Sequence, residues 1–259
     1  MFKYYFHYFI RAIVCYVMAL IFIIAGSPNK ENTKVVNHKG YSSKYVENSE
    51  SAFLGAAKKG ACGIETDIRI TKDGVPVCCH DVVYEFTDGS VKSVYENTFA
   101  QLTECKLPKG DKEHDDYICS FERYLEICKE YNLVCFLDIK EDLNDEKTVK
   151  VFELAKKVYD LDMIIPQSSS MENLKLIRKH YPEIHLMYTL GRIQFEKGFD
   201  YHDCFEYNIG LDADITVITK KMIKDFREHD LPVATFTCNS IFEKNYAYYL
   251  HVDYMETDV

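Results

Sequence analysis

Residues 60–81 read GACGIETDIRITKDGVPVCCHD. Strand alternation over Gly63–Ile70 sends Glu65 and Asp67 to one face and Ile64, Thr66 and Ile68 to the other. Two carboxylates on one face of an otherwise apolar strand call for a cation. The following Thr71-Lys72-Asp73-Gly74 reads as a tight turn, because Asp-Gly between extended runs is a strong hairpin signal. Val75 to Cys79 is then expected to return antiparallel and to bring His80 and Asp81 back to the end where the two acids point.

Working outward, Val35 to Gly40 is a short apolar strand that ends in His38 and a glycine turn, and chemistry at the C-terminal ends of strands is the mark of barrel enzymes. Glu50 to Lys59 reads as a helix with Ser49 as N-cap and an apolar stripe of Ala52, Phe53, Ala56 and Ala57. Leu133 to Lys140 is a continuous apolar run, as expected of a parallel strand covered on both faces, and it closes with Asp138 and Lys140. Between these, Val82 to Asp116 is polar and turn-rich, an excursion with a short helix at Thr98 to Leu102.

The remainder alternates. Helices are expected at Phe121 to Tyr131, Lys147 to Tyr159, Met171 to His180, Lys220 to His229 and Ile241 to Leu250, with a loosely specified helical region after His185 to Thr189. Strands are expected at Met163 to Gln167, His185 to Thr189, Tyr207 to Asp212, Val233 to Thr237 and Tyr254 to Thr257. The length of 259 residues, 47% apolar, suits either one α/β barrel or two smaller domains, and the alternation favours one barrel. The predicted fold is a (β/α)8 barrel over residues 35–259, with a hairpin and a small insertion after its second strand. No eighth outer helix follows Tyr254 to Thr257, so either the chain continues past Val259 or the barrel closes without that helix.

Residues 1–26 differ from the rest. Lys3, His7 and Arg11 flank an apolar run from Ala12 to Gly26, and small residues lead into a polar linker over 27–34. That order fits a signal peptide or an uncleaved membrane anchor, with the barrel extracytoplasmic, secreted or membrane-anchored. Contact with a membrane is expected through this segment if it is retained. The formal charge of −10 argues against a broad nucleic-acid surface. Ten cysteines show neither CxxC pairs nor zinc-ligand spacing, and those inside strands (Cys78, Cys135, Cys238) read as buried thiols.

His38-Lys39-Gly40, Glu47-Asn48-Ser49 with Ala52-Phe53, the stretch from Glu65 to Asp81, and Leu137-Asp138-Ile139-Lys140 together resemble the glycerophosphodiester phosphodiesterase family. Its pattern is HRG, EN(T/S) with AF, ExDVxxTkDgxxVxxHD and (E/D)xK. Fainter echoes follow at Gln167-Ser168, Phe236 to Asn239 and Glu256 to Asp258. The resemblance implies a TIM barrel acting on a small-molecule glycerophosphodiester. It implies one divalent cation, Ca²⁺ or Mg²⁺, on Glu65, Asp67 and Asp138, with His38 and His80 as general base and general acid. Lys39 and Lys140 would meet the phosphate and Phe236 would form a wall of the substrate site.

Elementary chemistry agrees, since cleaving a phosphodiester near neutral pH needs charge neutralisation at phosphorus and two proton transfers suited to imidazole. Three residues depart from the pattern. Lys39 replaces the family's Arg and loses the bidentate fork. Phe236 replaces Trp, and Asp138 is shorter than the commoner Glu. A phospholipase D-like lyase on lysolipids shares the paired histidines and acids but has a shorter interval between the first histidine and the first acid. A catalytically silent glycerophosphate-binding domain has no need of both histidines and all three acids. Asp81 reads as a cap for nearby backbone, and the other histidines as structural or exposed.

Overall fold

In a computed structural model, which describes residues 32–259, β1 (Lys34–Asn37) leads through a loop to α1 (Glu50–Lys59), β2 (Gly63–Ile70) and β3 (Pro76–Cys78). An insertion follows, with β4 (Val83–Glu85), β5 (Val91–Ser93), α2 (Phe99–Thr103) and β6 (Cys119–Ser120). Then come α3 (Phe121–Tyr131), β7 (Val134–Ile139), α4 (Asp145–Val158), β8 (Ile164–Ser168) and α5 (Met171–His180). The chain ends with β9 (Met187–Leu190), α6 (Arg192–Glu196), α7 (His202–Glu206), β10 (Gly210–Asp214), α8 (Lys220–Arg227), β11 (Val233–Phe236), α9 (Ile241–Leu250) and β12 (Tyr254–Thr257).

Eight strands, β1, β2 and β7 to β12, pair in parallel around a closed ring, with β1 hydrogen-bonded to both β2 and β12. This is the expected (β/α)8 barrel. The α1 bounds match the expectation, with Ser49 accepting from Ala52 N–H and Gly60 ending the helix in the left-handed region. Elsewhere the limits move. β10 starts at Gly210, because Tyr207 terminates α7. The expected signal or anchor over 1–26, and most of the linker after it, lie outside the described residues. Among the described residues no helix is long and apolar enough to cross a membrane.

The barrel interior is layered. Val36, Phe136, Ile165, Met187 and Ala234 form an apolar plug, and the next inward positions along the strands are His38, Asp138, Gln167, Thr189 and Phe236. Side chains alternate in and out of the barrel, so the apolar layer sets the height and inward direction of the polar one. Outward residues such as Ile64, Ile68, Leu137 and Leu211 pack with the helices in the main core.

The excursion after β3 is more ordered than its polar sequence suggested. Val77, Cys79, Phe86, Val94, Leu102, Leu107 and Ile118 make a separate core, β4 and β5 form a hairpin, and β6 pairs antiparallel with β3. Its apolar residues are spaced singly between turns, which leaves no periodic run to read.

Candidate active site

The Gly74 turn has φ 78° and closes with Gly74 N–H donating to Thr71 C=O at 2.8 Å. β3 then returns antiparallel to β2, and Cys79 N–H donates to Asp67 C=O at 2.9 Å. His80 thereby reaches the barrel mouth. Arg69 secures this end, donating to His80 C=O at 2.8 Å and Lys140 C=O at 3.2 Å. Asp67 and Asp138 are register partners in β2 and β7, which puts the second and third acids side by side.

Glu65, Asp67 and Asp138 are all buried, and each offers an oxygen within 4.8 Å of the others. Lys140 Nζ lies 2.7 Å from Asp138 and 3.3 Å from Asp67, and Lys39 Nζ lies 3.8 Å from Asp67 and 3.1 Å from Glu47. Burial, then the charges of Asp67 and Asp138, push Glu65 well above the ordinary carboxylate range. Asp138 is raised by burial although Lys140 opposes it. Asp67 goes the other way. Burial works against its charge, but Lys140, Lys39 and Asn48 outweigh it and lower its pKa. Lys140 is raised against the cost of burial by Asp138 and Asp67, so its ammonium stays charged.

The loop after β1 carries two residues in the left-handed region, Lys39 and Asn48, both at φ 56°. They are joined, Asn48 N–H donating to Lys39 C=O at 3.1 Å, while Lys39 N–H donates to Glu65 at 2.9 Å. Gly40 between them is required, since a Cβ there would lie 2.7 Å from the Ala52 carbonyl carbon. Asn48 acts directly on the site. Its amide donates to Asp67 at 2.9 Å and its carbonyl accepts from Thr66 Oγ1 at 2.7 Å and Asp67 N–H at 3.2 Å.

Both histidines have the same support. His38 Nδ1 lies 2.8 Å from Asp258 and His80 Nδ1 lies 2.8 Å from Asp81. A carboxylate at Nδ1 holds the proton there and turns Nε2 to the site. For His38, Nε2 sits 3.9 Å from Glu65. Burial opposes charge on His38, yet the Asp258 hydrogen bond and the Glu256 charge raise its pKa overall. Asp258 is itself held by Ser42 at 3.2 Å and Asn239 at 2.6 Å. The reading of Asp81 as a backbone cap is corrected, because its carboxylate orients His80.

One cavity brings together all the residues singled out from the sequence: His38, Lys39, Glu65, Asp67, His80, Asp138, Lys140 and Phe236. Gln167, Thr189, Asp212 and Glu256 line it too, and sequence reasoning left them, Asn48 and Asp258 off the site. The signal for Asp212 and Glu256 was weaker than that for Glu65 and Asp67, a single acid at an inward position of an apolar strand where β2 carries two. Hard oxygen donors crowded at Glu65, Asp67 and Asp138 fit a hard divalent cation.

Comparison with known proteins bears on the family and the fold. Residues 38–259 match the model of the glycerophosphoryl diester phosphodiesterase family. Human glycerophosphodiester phosphodiesterase 1 is 28% identical over 159 residues, covering 60% of this chain and 45% of its own length. The chain thus spans less than half of that relative. A glycerophosphodiester phosphodiesterase of Caldanaerobacter subterraneus subsp. tengcongensis is 27% identical over 172 residues, covering 62% of this chain and 69% of that one. Among solved structures, an Oleispira antarctica phosphodiesterase in complex with the product sn-glycerol-3-phosphate has a TM-score of 0.76 at 21% identity, covering 87% of this chain and 92% of that chain. A Thermotoga maritima glycerophosphodiester phosphodiesterase has a TM-score of 0.70 at 23% identity, covering 87% and 94%. At these identities the structures speak for the barrel, and the family model, matched from the first histidine of the site to the last residue, for the lineage: the chain belongs to the glycerophosphoryl diester phosphodiesterase family.

Proposed function

We propose that the protein is a metal-dependent phosphodiesterase that cleaves glycerophosphodiesters to a glycerol phosphate and an alcohol. The observation that carries this reading is the pair of carboxylate-supported histidines sharing one cavity with three crowded acids and two lysines. Glu65, Asp67 and Asp138 would hold a hard divalent cation, which supplies charge neutralisation and polarisation at the phosphoryl group.

The chain's own groups do the rest. Lys140 and Lys39, charged and held beside Asp67, bind nonbridging phosphate oxygens as point charges. His38, more deeply set and fixed by Asp258, takes the proton from the attacking oxygen, a water or the neighbouring glycerol hydroxyl, at Nε2. His80, 43% exposed at the mouth, gives a proton to the departing alcohol oxygen as its bond to phosphorus breaks. Phe236 lines the wall of the same cavity.

The test uses metal-stripped protein with Ca²⁺ or Mg²⁺ restored, glycerophosphocholine as substrate, and phosphorus NMR of the products. Loss of turnover in His80→Ala and Glu65→Ala supports the assignment. Undiminished turnover in either sinks it, and a cyclic phosphate as final product assigns the lyase instead. Binding without turnover under saturating metal assigns a silent binding domain. We also propose an extracytoplasmic location, on the strength of the basic flank and apolar run in residues 1–26. Fractionation of cells expressing the full chain, with protease access to the barrel from outside, tests it.

A further inference from the structure

The insertion between β3 and α3 returns to the barrel through a very short ladder. Its last strand, β6, is two residues long and meets β3 at two register pairs, Val77 with Ser120 and Cys78 with Cys119. The core that the insertion builds with the end of β3 holds seven buried apolar side chains and stands apart from the main one. A core that small gains most from a cross-link. Cys78 and Cys119 stand directly opposite each other in the ladder. Partners across an antiparallel pair are about 4.5–5.5 Å apart at Cα and share one face of the sheet, and a disulfide spans about 4.4–6.8 Å. Both residues are buried in the main core, at 1% and 6% exposure, and the Cys78 thiol is in hydrogen-bonding contact with Cys119. Both are free thiols in this structure.

We propose that Cys78 and Cys119 form a disulfide site, whose oxidation joins β3 to β6 and closes the insertion on itself two residues before His80. The inference concerns how the insertion is held and stands whether or not the glycerophosphodiester reading does. The reaction is thiol–disulfide exchange. One cysteine, as thiolate, attacks a sulfur of an oxidising disulfide such as oxidised glutathione and releases one thiol; the other cysteine then displaces the second thiol from the mixed disulfide. The pair loses two protons and two electrons, and the oxidant is reduced to two thiols. Burial pushes the Cys78 thiol well above its ordinary range, so thiolate is scarce once the core has formed and the bond closes during folding. The same burial shields the finished bond from reductants. The extracytoplasmic location proposed above supplies surroundings in which disulfides persist. Cys128 and Cys135 also touch, but a bond between them would close a loop of only about eight residues, against about forty for Cys78 and Cys119, and would restrain the unfolded chain less.

To test this, the full chain is reduced and unfolded, then refolded in mild detergent with reduced and oxidised glutathione. Its remaining thiols are alkylated, and its peptides are mapped by mass spectrometry without reduction. A linked Cys78–Cys119 peptide is expected in most of the product. Alkylated Cys78 and Cys119, or either one linked elsewhere, overturns the proposal. Thermal melting gives a second reading, since closing a loop of this length should raise the melting temperature by roughly 5–10 °C over the same protein with the bond reduced. The shift should vanish in Cys119→Ala. A shift that survives in that variant, or its absence from the wild type, overturns the proposal. If Cys119→Ala does not fold, the wild-type peptide map decides alone. Protein recovered from the secretory compartment of an expressing cell is mapped alongside. Free thiols there, with a linked pair after refolding, would count against the proposed location and leave the bond standing.

Discussion

Replacing Asn48 with alanine should destabilise the protein by about 4 kcal/mol. Three hydrogen bonds tie this side chain to Thr66 Oγ1, the Asp67 carboxylate and the Asp67 N–H, at 2.7, 2.9 and 3.2 Å. At a net of roughly 1 kcal/mol each they account for about 3 kcal/mol. Asn48 also sits at φ 56°, where asparagine is tolerated and alanine costs about 1 kcal/mol more. For a chain of this size each kcal/mol moves the melting temperature by about 2–4 °C, so a fall of about 10 °C is expected. Urea unfolding followed by circular dichroism measures the change directly. Asn48→Gly serves as the control, because glycine accepts the positive φ and loses only the hydrogen bonds, giving about 3 kcal/mol. An Asn48→Ala loss below about 1 kcal/mol would refute the reasoning, and so would a glycine variant less stable than the alanine one. Activity should fall with stability in both, since Asp67 loses the amide that fixes its carboxylate.

Removing either proton carrier, by His38→Ala or His80→Ala, should lower kcat for glycerophosphocholine by about 10²–10⁴-fold while metal binding by titration is retained; a loss under about five-fold would remove that residue from the proton-transfer scheme. Chelation should lower the melting temperature and Ca²⁺ or Mg²⁺ restore it, with the response largely lost in Glu65→Gln; an undiminished response in that variant would take Glu65 out of the ligand set. Glu243 predicts a pH dependence away from the acids of the site. Burial opposes its charge, but the groups of Ser240 and the Asn239 N–H that it accepts from outweigh this and hold its carboxyl below the ordinary glutamate range. A lowered carboxylate contributes fully above its unfolded value and loses that contribution as pH falls through the folded one. The stability gap between wild type and Glu243→Ala, about 1 kcal/mol at neutral pH, should therefore close as the pH drops below about 4. A gap that stays constant from pH 7 to 3 would contradict it.

Much of the architecture was legible because barrel strands and their helices are local patterns. Period-2 alternation assigned Glu65 and Asp67 to one face of β2, and the Asp73-Gly74 turn foretold the return of His80. Capping and the alanine stripe fixed the ends of α1. Each of these signals lies within a window of some ten residues, where side-chain direction follows from backbone geometry alone. The insertion escaped notice for the opposite reason, as Phe86, Val94, Leu102, Leu107 and Ile118 meet only after the chain has doubled back.

By itself, then, the sequence determined the inward face of β2 and the acids, imidazoles and ammonium groups at the ends of the first three barrel strands. Tertiary structure decided which of those inward residues stand at the same height. The support of His38 by Asp258 joins positions 220 residues apart, and the wall of Gln167, Thr189, Asp212 and Glu256 draws on four strands. Their grouping depends on closure of the ring between β1 and β12, which sets the stagger of every strand against the others. No single strand encodes that stagger, so a lone acid such as Asp212 becomes meaningful only once the barrel has closed around it.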